Sequence, residues 1–454
     1  MNSRKTNSYD LIFFTLSFIG ISLCLLNSFS IDKHLSADGV NYFIGVLEQK
    51  NFMHIDWSRY HAQYINQFPL LLAVKAGITN IKVLSWIYAF GIYLPYVLSF
   101  VLCLYALRGL DKQIMFFYIA SIIAVNLSSD YILAGEHQIM ALFTWPILFL
   151  LVRKHWSLFD IITLMVLLVI YSRLYQSAFF PSIVYIIILI FRYKAKEKKG
   201  KSMIITFILM NLVIIIMNSW TIFSPLSPEN RGSFLMSLTN FIINPDSLLP
   251  LFVFCMLLIY RLLDWKWLLF ISIAIPVAYL IYRLAFPEGI DAGLSFGSRT
   301  NTITVLPILI LLSLVFWKMK PFVGNLSRLA ISVYLVSFLS VNIIQSGNWR
   351  NYKEEVKEIL IENSGFISME STNLLNNQYK WSWNNSQISL VWSYPCVKSV
   401  ILNEKRFASF PFDPQKKIIL KDYLKYDPIY KAIDPGIQLC ENAGLYQKPG
   451  NMVD

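Results

Sequence analysis

Asp38 stands in the stretch SADGVNYF with Tyr42 four positions on, and the same early region holds Asp56, Arg59 and His61 in DWSRYHAQY. Glu136 and His137 follow in SSDYILAGEHQ, Arg173 in the break SRLYQ, and Arg299 in FGSRTNT. Each of these lies where an apolar run begins or ends. Ionisable groups at the mouth of a helix bundle are expensive to place and are functional candidates by default. The arginines suit phosphate, because a guanidinium is a planar fork of permanent positive charge. Glu136 beside His137 is an acid and an imidazole entering an apolar segment together, and burying either alone is costly, so the pair is expected to find partners. Competing readings stand beside these. Asp38 is also a turn-former before Gly39, Glu136 suits the first turn of a helix, Arg173 and Arg299 suit snorkelling at an interface, and Arg59 and His61 suit a solvated loop.

No P-loop, GxSxG, HExxH or GxGxxG stretch occurs, which removes the usual soluble-enzyme chemistries. The elements that must position these residues are membrane helices. The 454 residues are 56% hydrophobic and only 15% charged, with a mean hydropathy of +0.53, above an ordinary soluble domain. Apolar windows near the length needed to cross the hydrocarbon core recur at 10–30, 83–107, 113–128, 138–152, 157–172, 175–192, 203–223, 248–263, 266–285, 302–317 and 327–346. The first follows Arg4 and Lys5, is long for a signal-peptide core and precedes no small-residue cleavage site. The spacing therefore predicts a polytopic α-helical membrane protein of about 11 transmembrane helices.

The net charge of +12 sits in short clusters between these windows rather than in one stripe, which argues against a nucleic-acid partner. Arg4/Lys5, Arg108/Lys112, Arg153/Lys154, the run from Arg192 to Lys201, Arg261/Lys266 and Lys318/Lys320/Arg328 fill every second turn. The positive-inside rule then puts the N-terminus in the cytoplasm and the C-terminus outside. The opposite turns hold Asp130, Glu136, Glu229, Asp246, Glu288 and Asp291. The transmembrane part spans 1–346, with a large first outer loop at 31–82 whose segment FPLLLAVKAGI is too short to span and suits juxtamembrane helices. The tail, 347–454, opens on a charged helical pattern (NYKEEVKEILIEN) and continues with strand-like and turn-rich stretches around SQISLVWSY and FPFDPQ. It reads as a small mixed α/β extracytoplasmic domain. Cys396 and Cys440 lie in this tail, where an oxidising compartment permits a disulfide, while Cys24, Cys103 and Cys255 lie in apolar runs as small hydrophobes.

Asp38 early in the first outer loop with Tyr42 behind it, the long loop with juxtamembrane helices, about eleven helices and an outer C-terminal domain together resemble the GT-C superfamily of membrane glycosyltransferases. The GEH stretch at Glu136 and His137 is similar to a GEH or REH signature of some bacterial GT-C-like proteins. The resemblance implies that Asp38 is the catalytic base of an inverting glycosyltransferase. The reaction would move a sugar from a polyprenyl-phosphate donor to a glycan, lipid or protein acceptor at the outer face of a bacterial inner membrane. One carboxylate suffices for that chemistry, because the acceptor hydroxyl loses a proton while the departing phosphate needs positive charge and no proton. Arg59, His61, Arg173 and Arg299 are then donor-phosphate ligands, and Asp56, Glu136 and His137 a second acid, an acceptor contact or neighbours of a metal. Many GT-C enzymes use a paired acidic motif with a divalent cation; this chain has no adjacent acidic pair, which leaves Mg2+ or Mn2+ dependence open. Two alternatives are an O-antigen ligase or polymerase type, whose large outer loop usually falls between late helices, and a transporter or flippase of lipid-linked sugars, which should break its helices near the midplane.

Overall fold

The computed structural model describes residues 8–36, 38–54, 59–108, 114–127, 135–195, 200–224, 235, 245–263, 266–285, 301–318, 325–363, 365–368, 372, 374, 385–393, 396–397, 399–402 and 438–439. In chain order the helices are α1 (Ser8–Ser30), α2 (Asp38–Gln49), α3 (Tyr60–Lys75), α4 (Ile81–Ala106), α5 (Met115–Ser121), α6 (Glu136–Val152), α7 (Leu158–Tyr171), α8 (Phe179–Ala195), α9 (Lys201–Phe223), α10 (Pro245–Leu263), α11 (Lys266–Ala285), α12 (Val305–Lys318), α13 (Asn325–Glu362) and α14 (Asn385–Trp392). Among the described residues five segments, Ile12–Ser30, Ile81–Ala106, Gln176–Ala195, Lys201–Phe223 and Leu329–Glu362, are long and apolar enough to cross a bilayer. The chain is a helical membrane protein. On α9 the stripe Leu209, Val213, Ile216, Trp220 and Phe223 stays between 52% and 70% exposed, apolar surface that only a lipid solvent covers at no cost.

Sequence and packing agree at the ends of these helices. Asn80 caps α4 by accepting from the backbone N–H of Val83 at 3.2 Å, and Ser157 caps α7 by accepting from that of Asp160, each satisfying a donor that the first turn leaves open. Two helices, α2 and α3, occupy the loop between α1 and α4, and α3 packs along α4. Gly91 permits that approach, since a Cβ there would lie 2.2 Å from the carbonyl oxygen of Asn66. Helix α6 is buried on every side from Glu136 to Leu151 and packs against α4, α7 and α8. It is the central helix of this part of the bundle. At 17 residues it carries Glu136 about 25 Å from the basic turn at Arg153, where Arg153 pairs with Asp160 at 2.5 Å.

Three features differ from the sequence-based expectation. The window 113–128 is regular helix only over Met115–Ser121 and is π-wound over Ile122–Leu127; there the carbonyl of Ala124 accepts from Asn301 Nδ2 at 2.5 Å, the kind of side-chain insertion that lets a helix widen. The last window ends at no boundary: α13 runs unbroken through 346/347 to Glu362, because the charged segment after Gly347 continues the same helix. SQISLVW, expected as a strand, is helix α14. Its residues Gln387 to Trp392 are buried against α13 and the strand Ser399–Leu402, so burial on all sides hides the helical period. That strand pairs in parallel with Gly365–Ser368, and Cys396–Val397 pairs in parallel with Gln438–Leu439. FPFDPQ and Cys440 lie outside the described residues.

Candidate active site

Asp38 and Glu136 are each the first residue of a helix, α2 and α6, where the helix dipole favours a carboxylate. Tyr42 lies one turn below Asp38 on α2 and is fully buried, whereas Asp38 is half-buried. The Tyr42 hydroxyl donates a short hydrogen bond to Oε1 of Glu136. Gln63 Nε2, one turn along α3 from Arg59, donates to the Tyr42 oxygen at 3.2 Å. Arg59 Nη1 lies 3.8 Å from the other carboxylate oxygen of Glu136, and its guanidinium sits 5.2 Å over the Tyr175 ring. The Glu136 side chain is 2% exposed, so the pairing answers the cost of burying its charge.

His137 follows Glu136 on the same helix, and its ring lies 5.5 Å from that of Tyr175. Gly135, just before them, leaves the room, since a Cβ there would meet His137 Cε1 at 2.5 Å. The fields of both Asp38 and Glu136 reach the phenols of Tyr42 and Tyr88. Burial first, then these two carboxylates, push the Tyr42 phenol well above its ordinary range. It is a permanent neutral donor. The Tyr88 hydroxyl is buried and has no hydrogen-bond partner among the described residues, so a substrate group or a water that reached it would meet an open donor.

His61 and Arg173 meet through the backbone. The His61 N–H donates to the Arg173 carbonyl at 3.1 Å, and His61 Nδ1 donates to the Ile170 carbonyl at 2.8 Å; a carbonyl only accepts, which places the proton on Nδ1. These bonds tie the first turn of α3 to the exit of α7. Glu136, His137 and Arg59 thus meet around Tyr42 and Tyr175, with Asp38 one turn from Tyr42 on α2, and His61 joins the backbone at Arg173 where α3 starts and α7 ends, while Asp56, Asp130 and Arg299 lie outside the described residues. Among the described residues no group of three or more His, Cys, Asp or Glu gathers to hold a metal ion. The positive charge next to Glu136 among the described residues is the Arg59 guanidinium.

Gln63, Tyr88 and Tyr175 carry no signal of their own in the sequence. Gln63 was reachable only through its spacing from Arg59, four residues along one helix face. Lys33 and His34, in a short 3-10 turn after α1, are fully buried and were equally silent. No protein-family model, no curated protein and no solved structure gives a significant match to this chain.

Proposed function

We propose that the protein is an inverting, GT-C-like glycosyltransferase that moves a sugar from a polyprenyl-phosphate donor to a glycan, lipid or protein acceptor. The observation that carries the reading is the acid pair at one end of α6. Asp38 is half-exposed and Glu136 is buried beside Arg59, at the opposite end of the helix from the basic turn of Arg153 and Arg192. With eleven crossings the acid end faces the outside of a bacterial inner membrane, by the rule that basic turns stay in the cytoplasm. Residues 347–454 then form the outer C-terminal domain.

In this reading the Asp38 carboxylate takes the proton of the acceptor hydroxyl as its oxygen attacks the anomeric carbon from the face opposite the phosphate. The carbon–oxygen bond to phosphate breaks, the electron pair stays on the phosphate, and the configuration inverts. Arg59 and Arg173 are the proposed source of the positive charge, and His61 a proposed donor, that stabilise the departing anion. Tyr88 offers a hydroxyl to substrate.

The test is Asp38→Asn in membranes supplied with polyprenyl-phosphate sugars and acceptor glycans. A fall in transfer of about 10²–10⁴-fold at normal expression is expected; full transfer sinks the assignment. Translocation of lipid-linked sugar in liposomes without transfer would instead establish a transporter.

A further inference from the structure

The glycosyltransferase reading leaves the buried acid without a task, and three contacts converge on what it does. Tyr42 donates to Glu136, receives from Gln63 at 3.2 Å, and shares a helix face with Asp38 four residues earlier, a spacing that brings side chains together. Its oxygen has a second lone pair, and the charge of Asp38 is near enough to act on the phenol.

We propose that Tyr42 is a positioning residue that joins Asp38 and Glu136 into one proton-handling unit. This rests on Asp38 being the base. The proton taken from the acceptor moves from the Asp38 carboxyl to the Tyr42 oxygen as the phenol proton moves to Glu136. One O–H bond forms and one breaks at the phenol, no tyrosinate intervenes, and the net transfer is one proton from acceptor to Glu136. Asp38 is left ionised and Glu136 neutral beside Arg59. Gln63 fixes the phenol so that its proton points at Glu136.

The elements packed against α2 carry Lys33 and His34 on the 3-10 turn and Arg59 and His61 at the start of α3, while α14, which also packs on α2, carries no charged residue; Tyr88 of α4, Glu136 and His137 of α6 and Tyr175 complete the titratable groups around the site. Asp38 can be followed by infrared spectroscopy of purified full-length protein labelled with ¹³C-carboxyl aspartate, where every aspartate carries the label and the band lost in Asp38→Asn is that of Asp38. The measurement is a double-mutant cycle on its titration midpoint.

Glu136→Gln removes a like charge and should lower the Asp38 midpoint by about one pH unit. In the Tyr42→Phe background the same change should move it by less than about half of that, because the hydrogen-bonded bridge is gone. A direct charge–charge effect predicts an equal or larger shift there, since removing a hydroxyl reduces local polarity, and that result overturns the proposal. A wild-type midpoint insensitive to Glu136→Gln overturns it too. Should Tyr42→Phe not fold, Gln63→Leu, which releases the phenol, must weaken the coupling, and undiminished coupling counts against the bridge. None of these readouts needs sugar transfer, so they stand or fall apart from the glycosyltransferase reading.

Discussion

Nδ1 of His61 donates to the carbonyl oxygen of Ile170 across 2.8 Å, which fastens the start of α3 to the end of α7 and so sets where Arg59 points. His61→Ala should cost about 1 kcal/mol, the net value of one such bond, while His61→Asn, whose amide can donate in the same direction, should recover part of it. Thermal unfolding in detergent measures both. Equal loss in the two variants would show that the bond contributes nothing.

Arg59 and Glu136 make a sharper case, because removing one member of a buried pair strands the other. Arg59→Met is expected to destabilise by about 3 kcal/mol. Adding Glu136→Gln, which removes the stranded charge but keeps an acceptor for the Tyr42 hydroxyl, should return part of that stability. A double variant that loses as much as the sum of the two single variants would rule out the pair as a stabilising contact.

His34 is fully buried, with Nε2 2.8 Å from the Ser85 hydroxyl. Burial pushes its imidazole down from 6.5 to about 4; Asp32 opposes the shift and Lys353 adds to it. The folded pKa is below the unfolded one, so between about 6.5 and 4 the unfolded chain binds more protons. Stability is therefore full above this window and falls as pH drops through it, by up to about 3 kcal/mol. Unfolding midpoints from pH 7 to 4.5 should decline less steeply in His34→Gln than in the wild type. Parallel slopes would show that His34 is not the group responsible.

Gly91 tests how α3 reaches the site at all. Gly91→Ala places a Cβ against the Asn66 carbonyl, backbone that cannot yield without moving α3. Overpacking of this kind costs about 1–3 kcal/mol, and because Arg59 and Gln63 ride on α3, transfer activity should fall with stability although Gly91 touches neither acid. Wild-type stability and activity would mean that α3 and α4 can separate freely.

These tests divide along what could be read from the residues alone. Most of the windows fall on described helices, and five described segments are long and apolar enough to cross a bilayer, because an apolar run of that length has few other structures open to it in lipid; Asp38, Arg59, Glu136 and His137 stood out because charge at a helix mouth is costly. Gln63, Tyr88 and Tyr175 did not, since their roles exist only once α3, α4 and α6 are side by side. Tyr42 was visible as a neighbour of Asp38, but its bond to Glu136 spans 94 residues and no local pattern announces it. The end of the last window was not legible for a different reason: α13 passes from an apolar half to a charged half without a break, so the helix goes on where its apolar run stops.

Gly347 sits at that change and gives it a test. It lies inside α13 with nothing among the described residues within 4 Å of where a Cβ would go, so neither crowding by them nor backbone conformation requires glycine. Glycine in a helix interior costs about 1 kcal/mol relative to alanine, through the freedom it loses on folding. If α13 is one rigid rod linking the bundle to the tail, Gly347→Ala should raise the unfolding midpoint by the equivalent of about 0.5–1 kcal/mol and leave transfer unchanged. A lowered midpoint, or normal stability with lost transfer, would show instead that the helix must bend at this residue for the tail to work with the bundle.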